Sequence, residues 1–510
     1  MIRKVFNKAF GTYLRLRYPR IRRYMEHPHE VQKTLLMQLV RKAAPTEWGQ
    51  QHNFASIRTE ADFRRQVPVQ DYEHLKPYID TMMHGRPNVL WPGKVTFFSK
   101  SSGTTSDKSK YIPVSDDNLR TCHIRGTRDT MTLFYRHRPD ARQFEKKTLL
   151  MGGSLHQFDA DAGTLIGDVS AVMIHNMPAV ARPFVTPDIH TSLLPDFEEK
   201  IDRMVRISGK EDVVMIGGVP TWTVVLFRKL LEYYGKSNIL EIWPNLQGYV
   251  HGGVSFTPYR KQFQDFLPSE NISYQEIYNA SEGYFAAQDD FQRNDMLLLL
   301  DNGVYFEFLP MEEWHSETPR AIPLEAVELD KQYALVISTN AGLWRYMIGD
   351  TVTFTSLKPY RIRITGRTKQ FINVFGEEVV VENTDRALAI ACQKTGAVAQ
   401  EYTVAPVFLK KGKKGGHEWL IEFEQAPADI DAFASILDQE LQNLNSDYEA
   451  KRYHNMALEQ LRVHPLPPGT FAKWMKARGK FGGQNKVPRL SNERKYVESI
   501  LQFKDEDLRN

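Results

Sequence analysis

The sequence predicts an α/β fold: a large N-terminal domain of mixed β-sheets flanked by helices, followed by a small, mobile C-terminal α+β domain. Three observations carry this. Short apolar or β-branched runs bounded by Gly, Pro, Asn or Asp alternate with amphipathic stretches over residues 95–380, as in buried sheets covered by helices. After Gly376 the texture becomes helix, hairpin, helix. At 510 residues, with 42% hydrophobic and 25% charged, the composition is that of a soluble globular protein too long for one ordinary core.

In chain order, Ile2, Val5, Phe6, Phe10, Tyr13 and Leu14 recur at helical spacing within segment 2–24, and the spacing predicts a basic amphipathic helix. Residues 1–23 carry eight Lys or Arg and no acid, so the total of +4 leaves −4 for the remainder. That excludes a generally basic nucleic-acid binder. The helix fits either docking on the main domain or attachment to an anionic membrane surface. Residues 30–42 read as a second helix. Strands are expected over 148–151, 213–216, 305–309, 333–338 and 351–354, with helices over 197–207 and 221–234. In the C-terminal part, 382–395 and 429–443 read as helices, and 401–408 and 418–423 as strands joined by the Lys- and Gly-rich tip 410–416. The domains are placed at 1–366 and 367–510, with a glycine-punctuated hinge near 365–378. Cys122 and Cys392 stand far apart, so no disulfide framework or cysteine metal site is expected. With no secretory signal and no run of 18 apolar residues, the expectation is a cytoplasmic protein.

Chemistry concentrates in a few stretches. Ser101-Ser102-Gly103-Thr104-Thr105, with Lys110 just beyond, follows an apolar run and offers backbone N–H groups, hydroxyls and an ammonium to phosphate oxygens. A polar linker has the same composition. It is not a Walker loop, because the one Gly-Lys-Ser, at 235–237, has Leu230 in place of the first glycine and follows a helix. In Tyr278-Asn279-Ala280-Ser281-Glu282-Gly283 an aromatic face, a hydroxyl and a carboxylate can serve a base, a phosphate and Mg²⁺, and a surface turn has the same letters. Asp350, in Trp344-Arg345-Tyr346-Met347-Ile348-Gly349-Asp350 before the strand at Thr351, is suited to a ribose diol. Gly217-Gly218-Val219-Pro220 with Trp222, and His251-Gly252-Gly253-Val254, are glycine-rich turns that can border an acyl pocket, His251 being a candidate base or a locally bonded turn histidine.

Taken together with Pro468-Gly469-Thr470-Phe471 and Gln484-Asn485-Lys486-Val487-Pro488-Arg489, these motifs resemble the Gretchen Hagen 3 family of acyl acid amido synthetases. Those are adenylate-forming ligases related to firefly luciferase, and the resemblance runs from about Val31 to the C-terminus. It implies a luciferase-like fold and an ATP- and Mg²⁺-dependent reaction in which a carboxylic acid is adenylated and then passed to an amine, usually of an amino acid. It also implies roles for named residues. Ser101, Ser102, Gly103, Thr104 and Thr105 cradle phosphates and Lys110 adds charge. Tyr278 stacks on adenine, Ser281 meets the α-phosphate, Glu282 holds Mg²⁺, and Asp350 and Arg367 hold the ribose. Lys486 approaches the α-phosphate and leaves when the small domain rotates. One departure is visible: Asp107 stands where the family usually has glycine. The expected partners are a small carboxylic acid and an amine, with no nucleic acid, no stable membrane insertion and a monomeric state. Two alternatives remain at this stage, a thiol acceptor such as coenzyme A and a nucleotide or acyl-adenylate binding protein without turnover.

Overall fold

A computed structural model describes residues 2–102, 109–253, 256, 260–314, 316, 318–367, 371–377, 379–408, 415–453, 457–478, 487 and 489–507. The chain divides into two compact units. The larger holds residues 1–101, 110–253 and 263–368, and the body of the smaller is 369–510.

Strands of the larger unit run, in chain order, β1 (Phe97–Ser102), β2 (Ser109–Val114), β3 (Lys147–Leu150), β4 (Leu155–Asp159), β5 (Thr164–Gly167), β6 (Val185–Thr186), β7 (Val213–Gly217) and β8 (Gly248–His251). They continue as β9 (Ser273–Ala280), β10 (Gly283–Ala287), β11 (Met296–Leu298), β12 (Val304–Pro310), β13 (Ile322–Pro323), β14 (Gln332–Thr339), β15 (Tyr346–Leu357) and β16 (Tyr360–Arg367). Among the described residues they form a 12-stranded sheet, ordered β13-β12-β14-β15-β16-β11-β10-β9-β8-β7-β3-β6, and a four-stranded sheet β2-β1-β5-β4. β9, β8, β7, β3 and β6 are parallel, whereas β9 through β13 pair antiparallel. The expected alternation of strand and helix thus holds only for the first half. Residues 273–367 are an antiparallel region in which β12 and β14 are buried along almost their whole length, so their apolar runs read like those of a parallel sheet.

The single basic helix predicted over 2–24 is two helices, Ile2–Arg15 and Tyr18–Glu26, broken next to Pro19, whose ring cannot continue a helix interior. The first is docked: Leu14 is buried with Phe134, Tyr135, Phe144 and Phe184, and Phe6 and Phe10 pack on the same cluster. At the break, Arg17 turns inward. Its guanidinium bonds both carboxylate oxygens of Asp129 (2.6 and 2.8 Å) and both of Asp301 (2.9 and 2.6 Å). Helix Pro28–Ala43 is pinned through Gln32, which donates to the carbonyls of Leu300 and Val304 and accepts from the N–H of Phe306.

In the smaller unit, β17 (Phe371–Ile372) pairs with β18 (Val379–Val380), and β19 (Val398–Val407), β20 (Gly416–Gln425) and β21 (Arg462–Leu466) form a three-stranded sheet. Helices Val381–Thr395 and Ile430–Leu444 accompany it, matching the helix, hairpin, helix reading. The Lys-rich tip at 409–414 lies outside the described residues. Glu377 is fully buried, accepts from the N–H groups of Val374 and Phe375, and faces His417 Nε2 at 2.8 Å. The Pro468 to Phe471 motif begins helix Thr470–Ala477. Its first N–H groups, on Gly469 and Phe471, are capped by the Glu422 carboxylate, which satisfies donors a helix start leaves unpaired.

Candidate active site

β9 and β10 are joined by a two-residue turn, because Ala280 pairs with Gly283. Ser281 and Glu282 are therefore the turn itself. It is not a solvated surface turn: Glu282 is buried, and Ser281 Oγ accepts from Ser99 Oγ at 2.9 Å. That bond sets Ser99 of β1 beside the turn, two residues before Ser101. Ser101 is half-buried.

On the neighbouring side, the buried Tyr278 donates its hydroxyl to the Asp350 carboxylate. Asp350 does not precede the strand as expected; it lies within β15, where pairing with β14 shifts register between Ala334 and Val336 and Gly349 adopts φ +97°. Such a bulge re-aims the side chains around it, and glycine alone takes that φ without strain. The backbone of Arg367 pairs with Asp350 across β15 and β16.

Lys110 is placed in an aromatic cage. Its ammonium donates to Tyr346 Oη at 3.3 Å and lies 5.6 and 5.9 Å from the ring centres of Tyr72 and Tyr346, a cation–π arrangement. Behind Tyr346, Arg345 takes φ +45° and is buried. It grips Glu307 with two N–H groups (2.9 and 3.0 Å) and donates to the carbonyls of Val67 and Arg64. Sequence reading missed this anchor.

The parallel strands β3, β7 and β8 each run into a glycine pair at or just past their ends, Gly152-Gly153, Gly217-Gly218 and Gly252-Gly253. Open α/β sheets bind ligands outside such carboxyl ends. Val219 packs where a Cβ on Gly253 would sit, at 3.4 Å. Trp222 is half-buried on helix Pro220–Tyr234, and His251 is buried with its ring 5.2 Å from that of Tyr249. The first glycine pair, not singled out from sequence, is held by Lys200, which donates to both glycine carbonyls at 2.9 Å; burial pushes this ammonium down to about 8.

Gly103, Thr104, Thr105, Asp107, Val254 and Lys486 lie outside the described residues, as do the side chains of Ser102 and Arg367. Val487 and Arg489 are described: the segment beyond Lys486 forms a bridge at Leu490 to Val404 of β19, and Arg489 pairs with Glu401 at 2.8 Å. No cluster of three or more His, Cys, Asp or Glu able to hold a metal occurs among the described residues.

The larger unit thus gathers Tyr278, Ser281 and Glu282 at the carboxyl end of β9 with Asp350 of β15 beside them, and a separate small α+β unit follows it. The chain belongs to the GH3 family: models of the GH3 N-terminal, central and C-terminal domains match residues 17–232, 297–367 and 382–495. It is 23% identical to the indole-3-acetic acid-amido synthetase GH3.3 of Arabidopsis thaliana over 90% of this chain and 89% of the relative. To the 4-substituted benzoates-glutamate ligase GH3.12 of the same plant it is 21% identical, over 92% and 94%. Among solved structures, the GH3.15 acyl acid amido synthetase superposes with a TM-score of 0.58 at 15% identity, covering 93% of both chains. A 2-hydroxyisobutyryl-CoA ligase superposes with 0.54 at 12% identity, covering 94% of this chain and 92% of the other.

Proposed function

We propose that this protein is an AMP-forming ligase that joins a small carboxylic acid to an amine, the amine of an amino acid being the leading candidate. A carboxylate oxygen of the acid attacks the α-phosphorus of ATP, and the bond to pyrophosphate breaks. The amine nitrogen then attacks the acyl carbon, the bond to AMP breaks, and the nitrogen loses a proton. The observation that carries the reading is the Tyr278 to Asp350 hydrogen bond, which joins two of the separate motifs as a base-and-ribose site would require. The Ser99 to Ser281 bond adds the start of the phosphate loop.

In this reading Tyr278 flanks adenine, Asp350 and Arg367 hold the ribose, Ser281 and residues 101–105 take the phosphates, and Lys486 stabilises charge on the α-phosphate. Mg²⁺ prefers few protein ligands plus phosphate oxygens and water, so the single buried carboxylate of Glu282 fits it without a preformed cage. Val219, Trp222, His251 and Val254 border the acyl and amine side. The domains act at 1–366 and 367–510 around a hinge near 365–378, and the protein works as a monomer in the cytoplasm. The described helices include none long and apolar enough to cross a membrane.

The test is pyrophosphate release from ATP and Mg²⁺ with a panel of aromatic, indolic and fatty acids, first alone, then with each amino acid, then with coenzyme A. Acid-dependent release that turns over with one amino acid is the expected result. Turnover only with coenzyme A assigns a thiol acceptor, and ATP binding with silence across the panel points to the non-catalytic alternative.

A further inference from the structure

Helix Ile124–His137 begins with one π-helical turn, Leu119–His123. Single π turns cost regular hydrogen bonding and recur at functional positions. This one is held from three sides. Asn340 bonds Asn118 and Thr121, Cys122 Sγ accepts the N–H of Tyr284, and Leu119 packs with Val172 of helix Val169–His175. The helix it opens runs antiparallel to the parallel strands. Thr130 meets Gln275 early in β9, and Phe134 fills the space beside Gly248 at the start of β8. Its first turn therefore stands at the strands' carboxyl ends, where Asn279, Ser281 and the glycine pairs gather.

His123 closes that turn and is fully buried. Its Nδ1 lies 3.2 Å from Asn279 Oδ1, and the amide nitrogen of Asn279 faces the Met173 sulfur at 3.7 Å. An amide oxygen only accepts, so Nδ1 carries the proton and Nε2 presents a lone pair. Burial pushes the imidazole down to about 4, which keeps it neutral. Nε2 itself has no hydrogen-bond partner among the described residues, an arrangement that buried polar atoms rarely leave unanswered. Asn279 of β9 thus joins the ring to helix Val169–His175, whose Ile174 covers Gly152. Nε2 is thus buried near the carboxyl ends of the parallel strands, on the side where the glycine pairs lie.

We propose that His123 Nε2 is a specificity determinant for the acyl substrate, accepting a hydrogen bond from an N–H or O–H on the body of the acid and so selecting acids that carry such a donor. The proposal deepens the ligase reading and rests on it. A site built around a buried acceptor rejects the analogue that cannot donate, because the acceptor is then left unpaired.

The test compares matched acids, an indole acid against its benzothiophene isostere and a phenolic acid against its methyl isostere. Two readouts are used: kcat/KM for pyrophosphate release, and the ring-nitrogen NMR signals of histidine-labelled protein, with His123 assigned by substitution. The parent is expected to favour the donor acid by about tenfold. His123→Leu should bring the ratio to about one, and His123→Gln, which keeps an acceptor oxygen, should retain most of it. In the unsubstituted protein, the donor acid should move the Nε2 signal and the isostere should not, a readout independent of whether either variant folds. Equal efficiency for both acids with an unmoved Nε2 signal overturns the proposal while leaving the ligase reading intact. So does an Nε2 signal already that of a hydrogen-bonded nitrogen without acid and unchanged by it, the mark of a buried water. A donor-specific Nε2 shift without pyrophosphate release from any acid supports the binding assignment and sinks the ligase reading instead.

Discussion

Tyr278, Ser281, Glu282 and Asp350 stand out in the sequence one at a time as the ring, hydroxyl and carboxylates that the proposed nucleotide site needs, and two hydrogen bonds tie three of these positions to each other or to β1. Arg345 was not legible, because its meaning lies in a partner 38 residues away. Burial pushes the Glu307 carboxyl upward and Arg345 opposes that, so the pair is a buried charge and its answer. Removing one member of such a pair costs about 3–5 kcal/mol, more than removing both. Arg345→Met should lower stability by about that much, and adding Glu307→Leu should recover most of it; guanidinium midpoints of the two variants check this, and additive losses would contradict it. A second residue governs acid sensitivity. Hydrogen bonding from His464, then Arg494, brings the Glu418 carboxyl from 4.5 down to about 2 against the cost of burial. A carboxylate held below its unfolded value contributes stability that is complete above that value and is lost as pH falls through the folded one. The small unit should lose about 3 kcal/mol between pH of about 5 and 2 through this group. Glu418→Gln should flatten that part of the profile, read in the full chain by urea unfolding and the fluorescence of the buried Trp419 and Trp474.

At the scale of elements, periodicity found the strands but not how they pair. A run such as that of β12 is apolar because both faces are covered, and burial on both faces looks the same in sequence whether neighbours run parallel or antiparallel. The π turn before Ile124 has no compositional signature, so His123 passed unnoticed. For the N-terminal segment, the apolar spacing was visible and its destination was not. The structure turns Phe6, Phe10 and Leu14 of that stripe inward, onto Phe134, Tyr135, Phe144 and Phe184, and leaves its Val5, with Leu16, exposed at 63% and 73%. A membrane-surface helix would need Phe6, Phe10 and Leu14 on its outer face. Leu14→Ala should therefore destabilise the fold by about 2–5 kcal/mol, as buried leucine truncations do. Val5→Asp, on the outer face, should change stability by no more than about 0.5 kcal/mol. Thermal unfolding of the two variants decides it, and a neutral Leu14→Ala would return the helix to the surface.

For the whole molecule, the two-part organisation could be read from the change of texture near Gly376, because a second hydrophobic core announces itself as a second pattern of strands and helices. In the proposed function, Lys486 is the small unit's contribution to the chemistry. A lysine that stabilises charge on the α-phosphate is needed while pyrophosphate departs and not while an amine attacks the acyl carbon, since the first step loads charge on phosphorus oxygens and the second on the acyl oxygen. Its removal should then divide the two half-reactions. Lys486→Ala should slow acid-dependent pyrophosphate release by about 10²–10³-fold, the loss typical of one charge-stabilising donor, with ATP affinity changed less than about threefold. Amide formation from a supplied acyl-adenylate should proceed at the parent rate. Asp350→Ala should do the reverse, weakening nucleotide binding in both half-reactions, because the ribose is present in ATP and in the acyl-adenylate alike. Rapid-quench measurement of each half-reaction, with nucleotide affinity by calorimetry, separates the two patterns. If Lys486→Ala slows both steps equally, the lysine stays in the site throughout, and a small unit that swings away between steps is the wrong description of this enzyme.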